Sequence, residues 1–177
     1  MRWTWLDLIQ ELDSGHRCVA IRNVCWAEDV LHDHFDRDPE AGLPAMPVMP
    51  HSLVIEGMAQ CAGILVGEHN QYRQKVLLAK IGKASFTGLC AKPGQTLRHT
   101  AILDRIDDTG AATTGIVELL DPGSSEARPY ASVDLMFSHI DQNRKGLAFP
   151  DYNFVFTQDF ADLLERSGFP MQHRPAR

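Results

Sequence analysis

The sequence predicts an α+β fold in which an antiparallel sheet wraps around one long buried helix. Three observations lead there. Residues 47–67, PVMPHSLVIEGMAQCAGILVG, are almost wholly apolar after two prolines. Strand-like segments separated by turn signals follow them, from residue 76 to residue 140. A helix followed by a meander of strands is the pattern of a sheet packed on a helix.

With 177 residues and 44% apolar content, the chain is expected to form one globular domain with a sizeable core. A net charge of -6 and a pI of about 5.7 do not favour a nucleic-acid partner or a basic membrane-surface patch. Residues 1–15 are amphipathic and acidic and show no secretory pattern, so a cytoplasmic protein is expected. Cys18, Cys25, Cys61 and Cys90 have no C-x-x-C spacing and are expected as free thiols.

Taken in order, Trp5, Leu8, Ile9 and Leu12 recur at helical spacing. With Thr4 as N-cap and Gly15 as stop, they predict a short N-terminal helix. Residues 18–24 are rich in β-branched side chains and predict a strand. Residues 27–46 are polar and punctuated by Pro and Gly, hence a long loop. Pro50 suits the first turn of the central helix, where its missing N–H would have no partner. That helix, residues 52–67, is apolar on nearly every side and so belongs inside protein. It is too short and too interrupted by Glu56 for a membrane span. Ala59, Cys61, Ala62 and Gly63 would let another backbone approach it. Strands are then predicted at 76–81, 97–106, 111–120 and 130–140. The turn Lys92-Pro93-Gly94-Gln95, the hairpin loop at 107–110 and a break at 121–125 mark their boundaries. Residues 1–140 therefore read as the main domain and 141–177 as an extension. In the extension Thr157 caps a helix with Phe160, Leu163 and Leu164 on one stripe, ended by Gly168, and residues 171–177 are expected to be disordered.

Chemistry enters with Glu56. A core has no packing reason to carry a carboxylate, which is costly to bury unless paired or protonated. Gln60, one turn on, shares its face and makes a single polar notch. The plain alternative is a helix-edge Glu56 paired with Lys or Arg. His32, Asp33 and His34 lie in the preceding loop, and His51 at the helix start. Three readings stand open for them: solvated loop histidines; a metal site built from His32, His34 and one of Asp36, Asp38 or Glu40; or acid–base catalysis pairing a loop histidine with Glu56.

The sequence HDHF at 32–35 followed by PVMPHSLVIEGMAQCAGIL at 47–65 resembles the signature of the hot-dog-fold 3-hydroxyacyl-[acyl-carrier-protein] dehydratases. That signature is His-Phe-Pro-Gly, then Pro-Val-Met-Pro-Gly, then a helix with Glu or Asp followed by Ala-Gln. LLAKIGKASFTGLCAKPGQTL at 77–97 is similar to the family's Lys-Ala-x-Phe and Pro-Gly-Asp/Gln-x-Leu pattern, and ASVDLMFSHI at 131–140 to its closing strand. IRNVCWAEDVLHDHF is similar to its lead-in, so the likeness covers residues 17–140. It implies a hot-dog fold and dehydration of a 3-hydroxyacyl thioester. His34 takes the place of the catalytic histidine and Glu56 that of the acid. His51 stands where the family has glycine, with its backbone N–H meeting the thioester carbonyl, and Gln60 supports the acid. Met49, Leu53 and Met58 join His51 and Gln60 as implied substrate contacts, with the acyl chain beside Leu53, Ile55, Met58 and Ala59.

The resemblance also implies a homodimer whose sites take histidine from one protomer and the acid from the other. The substrate is carried on acyl-carrier protein or coenzyme A, and no cofactor or metal is needed. Lys80, Lys83, Lys92 and Arg98 are candidates for a basic patch facing an acidic carrier. This chain departs from the pattern in its longer segment after His34-Phe35, in His51, and in the extension after residue 140. An acyl thioesterase or a non-catalytic acyl-binding module is the alternative on the same fold, and a metal-dependent enzyme using His32 and His34 the alternative outside it.

Overall fold

The structure, a computed structural model, describes residues 3–33, 35–140 and 153–171 of the 177. Six antiparallel strands form one sheet in the order β1-β2-β4-β5-β6-β3. They are β1 (Leu8–Asp13), β2 (Arg17–Asn23), β3 (Lys75–Phe86), β4 (Thr96–Asp107), β5 (Gly110–Leu120) and β6 (Ala127–Ile140). The sheet packs on α2 (His51–His69), with a short α1 (Asp29–Asp33) before it and α3 (Gln158–Arg166) near the C-terminus. This is the hot-dog architecture that the resemblance implies. Among the described residues no helix is long and apolar enough to cross a membrane. Cys18, Cys25, Cys61 and Cys90 are all free thiols.

The central helix is buried along most of its length. Val54, Met58, Cys61, Ile64 and Leu65 are shielded almost completely, and Met58 lies against Gly115 of β5. Burying each large side chain of this kind stabilises the fold by about 1.5–3 kcal/mol. Two glycines in α2 allow close approach. A Cβ on Gly57 would stand 2.9 Å from Nε2 of His99 on β4, and one on Gly67 would stand 2.2 Å from Cζ of Phe156. Helix-interior glycine costs about 1 kcal/mol against alanine. The rings seated at these positions are what the exchange permits.

The N-terminal segment is a strand, not the helix that its spacing predicts. Leu6 and Ile9 are buried and Leu8 is exposed, while β1 pairs with β2 along its length. An irregularity between Ile9 and Glu11 shifts the register. A bulge of this kind breaks strict alternation and spaces the inward side chains as a helix would. Gly15, expected as a helix stop, instead takes φ +74° in the β1–β2 turn.

The two edges of the sheet are treated differently. Ser167, just after α3, accepts a hydrogen bond from the Ile9 N–H at 3.0 Å, and Arg166 donates to the Asp7 carbonyl at 3.0 Å. The C-terminal helix thereby occupies the β1 edge. β3 is the other edge, and residues 78–85 of it are exposed on both faces. Leu78 and Ile81 on it, and Met136 beside it on β6, stand open to solvent. Residues 141–152 and 172–177 lie outside the described residues, and Met171, expected in a disordered tail, is buried.

His99 is wholly buried under α2, and neither ring nitrogen has a hydrogen bond of ordinary geometry among the described residues. Burial lowers its pKa from 6.5 to about 4, with the Val54 backbone pulling upward and Arg22 adding to the lowering. The unfolded chain binds this proton first, so stability is present above pH 6.5 and is lost as pH falls from 6.5 towards 4. The loss amounts to about 3 kcal/mol at 1.4 kcal/mol per unit. In urea unfolding across that window, His99→Leu should show a correspondingly flatter pH dependence than the unmodified chain; parallel curves would contradict the assignment.

Candidate active site

The prolines that precede α2 leave its N-terminus open. Pro50 is the N-cap residue, at φ -58° and ψ 137°, and provides no side-chain cap. The Pro50 carbonyl accepts from Leu53 and Val54, and the N–H groups of His51 and Ser52 have no partner among the described residues. Two exposed N–H groups and the helix dipole favour an oxygen that gains negative charge. The His51 ring does not cover them by floating freely. It stacks on Phe86 with centroids 3.8 Å apart and planes 6° apart, and meets Tyr130 edge-on at 6.2 Å.

One and a half turns further along, Glu56 is half-buried, and Gln60 is buried. The Gln60 amide donates to Glu56 Oε1 at 2.8 Å and to the Trp3 carbonyl at 3.1 Å, while its oxygen accepts from the Trp5 N–H at 2.8 Å. Trp3 Nε1 donates to the same Glu56 Oε1 at 3.1 Å. Glu56 Oε1 therefore holds two donors, and Oε2 has none among the described residues. The notch read from the sequence exists, and among the described residues its partner is the N-terminal arm, with no Lys or Arg bonded to it. That arm is fixed in turn by Arg22, whose guanidinium lies 5.2 Å from the Trp5 ring centroid and pairs with Asp7 at 2.8 Å and Glu28 at 2.7 Å.

His34 lies outside the described residues, but both sides of it are visible. Leu31 anchors α1 in the core. His32 Nε2 sits 2.6 Å from the Trp26 carbonyl, and its ring tilts against that of Trp26. That contact uses one of the two ring nitrogens. The Met46 N–H donates to the Phe35 carbonyl at 2.9 Å, and Asp38 and Leu43 bridge each other inside that closure. The long segment is thus an excursion that begins and ends at one place. Phe35 and Met46 come together, and the chain proceeds to Pro47 as though residues 36–45 had not been inserted.

A cavity of about 450 Å³ opens beside Glu56. Ala59, Gly63 and Phe137 line one side of it, Val76–Leu78 of β3 another, and Val155, Phe156 and Phe160 of the C-terminal segment a third. Trp3, Glu56 and Gln60 also reach it. Of the substrate contacts implied by the resemblance, Met58 is turned to the sheet and Met49 is buried with its N–H on the Ala91 carbonyl at 2.8 Å. Leu53 is partly buried against the core. None of these three lines the cavity. Trp3 was not legible as a site residue: nothing local links it to a carboxyl 53 positions away.

Comparison with known proteins agrees with this geometry. Residues 3–119 match the model of the FabA-like domain family. A 3-hydroxyacyl-[acyl-carrier-protein] dehydratase FabZ of Fusobacterium nucleatum is 33% identical over 124 residues, covering 69% of this chain and 80% of that protein. The FabZ of Pediococcus pentosaceus is 31% identical over 112 residues, 62% of this chain and 69% of that one. Among solved structures, the dehydratase heterocomplex ApeI:P from Xenorhabdus doucetiae superposes with a TM-score of 0.58 at 16% identity, over 78% of this chain and 84% of that one. A thioesterase family protein from Silicibacter pomeroyi gives 0.57 at 16% identity, over 75% and 82%. At such identities these two structures speak for the fold alone.

The Gln60 network carries a stability consequence. Gln60→Leu strands the Trp5 N–H and the Trp3 carbonyl, removes one of the two donors to Glu56 Oε1, and should cost about 2 kcal/mol in urea unfolding. Trp3→Phe removes one solvent-accessible bond and should cost less than about 1 kcal/mol. Equal costs would mean that the amide is not the hub.

Proposed function

This chain belongs to the FabA-like domain family, and on that footing we propose that it dehydrates 3-hydroxyacyl thioesters to trans-2-enoyl thioesters in fatty-acid or related lipid synthesis. The observation that carries the reading is Glu56: a carboxyl fixed through one oxygen, with no bond to the other among the described residues, beside a mostly apolar cavity.

Eliminating water from such a substrate requires a base for the C2 proton and an acid for the departing hydroxyl. In this reading His34 is the base, since imidazole ordinarily titrates near neutrality. Glu56 is the acid: Gln60 and Trp3 orient it through Oε1, and the proton passes from Oε2 to the leaving hydroxyl. The His51 N–H, which has no partner among the described residues, donates to the thioester oxygen as it becomes enolate-like. That role needs only the main chain, and the stack on Phe86 supports the view that a side chain at this position is accommodated. The reaction runs without metal or cofactor.

A second copy of the chain completes the site. The exposed β3 edge is long, apolar in part and uncovered, which favours antiparallel pairing with its own copy about a two-fold axis. Each protomer would then supply Glu56 to the His34 of the other. The carrier we favour is acyl-carrier protein, as in the names of the FabZ relatives. Lys80, Lys83 and Lys92 make no ion pair among the described residues, whereas Arg98 is paired with Glu118 at 2.8 Å. The enzyme works in the cytoplasm in this account.

The test is direct. Purified chain incubated with a 3-hydroxyacyl thioester should yield the enoyl product, followed by its absorbance. Glu56→Gln and His34→Ala should each lower kcat/KM at least about a hundredfold while the melting temperature is retained. Free acid as the product, or full turnover by Glu56→Gln, would contradict the assignment.

A further inference from the structure

Resting on the dehydratase reading, we infer that the C-terminal segment of this chain, residues 153–160, closes the acyl site and sets the length of acyl group that it takes. The face of α2 that carries Glu56 continues one turn at a time through small residues. Glu56, Ala59, Gln60 and Gly63 all line the cavity. One turn beyond Gly63, the same stripe is stopped, because the Phe156 ring occupies the space over Gly67. The groove is thus open from Glu56 to Gly63, about 10 Å along the helix at 1.5 Å per residue, and shut before Gly67.

The stop is held firmly. Phe156 meets Tyr72 edge-on with centroids 4.9 Å apart and is itself buried. Asn153 donates to the Tyr72 and Gln74 carbonyls at 3.0 and 3.1 Å, and its own oxygen accepts from the Val155 N–H at 3.1 Å. These bonds fix the segment to the chain that leads from α2 into β3. Val155 and Phe160 add apolar wall, and Thr4, Thr157 and Asp159 supply the remaining polar lining. An occupant with its reacting polar end at Glu56 and a hydrocarbon tail running along Ala59 and Gly63 matches this distribution. A methylene buried in such a groove contributes about 0.8 kcal/mol, close to fourfold in kcat/KM. The tail that reaches Phe156 can gain no more, and a longer one must displace a packed ring.

Two substitutions move the stop in opposite directions. Among the described residues a Cβ at Gly63 would have only Phe137 Cε1 near it, at 3.9 Å, and leucine favours helix over glycine, so Gly63→Leu should fold. It fills the groove. Phe156→Leu keeps an apolar side chain and shortens the plug. kcat/KM is measured for 3-hydroxybutyryl, 3-hydroxyoctanoyl and 3-hydroxydodecanoyl thioesters. Gly63→Leu should lower the octanoyl-to-butyryl ratio at least tenfold, and Phe156→Leu should raise the dodecanoyl-to-octanoyl ratio severalfold. Turnover with both ratios within twofold of the unmodified chain overturns the length-setting role while leaving the dehydratase reading intact. No turnover by the unmodified chain at any length overturns that reading and this inference with it.

Discussion

A carboxyl group on an otherwise greasy helix must be held by something, and here it is held by an amide one turn away and an indole from the start of the chain. Glu56, Gln60 and Trp3 form one hydrogen-bonded unit, tied to the backbone at Trp3 and Trp5. Much of the surrounding architecture follows from this requirement. The N-terminal arm has to run extended beside α2 to present its main chain to Gln60. It can do so only if the residues after it join the sheet, which β1 does by pairing with β2. Arg22 secures the same arm from the β2 side through the Trp5 ring and Asp7. A polar hub of this kind is stabilising only while every member is satisfied, and the Gln60 amide here has a partner for each of its atoms.

The features that set this chain apart from the resembling family become intelligible as local additions. The segment after Phe35 is longer, yet the Phe35–Met46 hydrogen bond returns it to its starting point. His51 stands at the head of α2 where the resembling family has glycine, yet its ring is parked on Phe86, and the N–H groups of His51 and Ser52 have no partner among the described residues. The C-terminal extension packs twice on the domain: α3 along the β1 edge through Ser167 and Arg166, and Phe156 over Gly67. The last of these covers places that the bare fold would leave open.

What the sequence disclosed and what it hid divide along physical lines. The long helix was legible because prolines fix its start and its apolar run has one polar notch. The β4–β5 hairpin was legible because Asp107, Thr109 and Gly110 have turn chemistry, and Asp107 does bond the Thr109 and Gly110 N–H groups. The final helix was legible from Phe160, Leu163 and Leu164 on one stripe. The N-terminal strand was not, because a bulge near Ile9 imitates helical spacing. Trp3 and Phe156 were not, because their importance comes from partners 53 and 89 positions away, Glu56 and Gly67, and no local pattern encodes a distant contact. Ala59, Cys61, Ala62 and Gly63 were read as room for another backbone; at Gly63 the neighbour is the Phe137 ring.

The central claim is that the Glu56 carboxyl of one copy works with the His34 imidazole of another. Mixing separately purified His34→Ala and Glu56→Gln chains, under conditions where subunits exchange, tests it most directly. In a mixed dimer one of the two sites regains both an intact histidine and an intact glutamate, so turnover should return although each variant alone is inert. A fully exchanged mixture as inactive as its components would contradict the shared site.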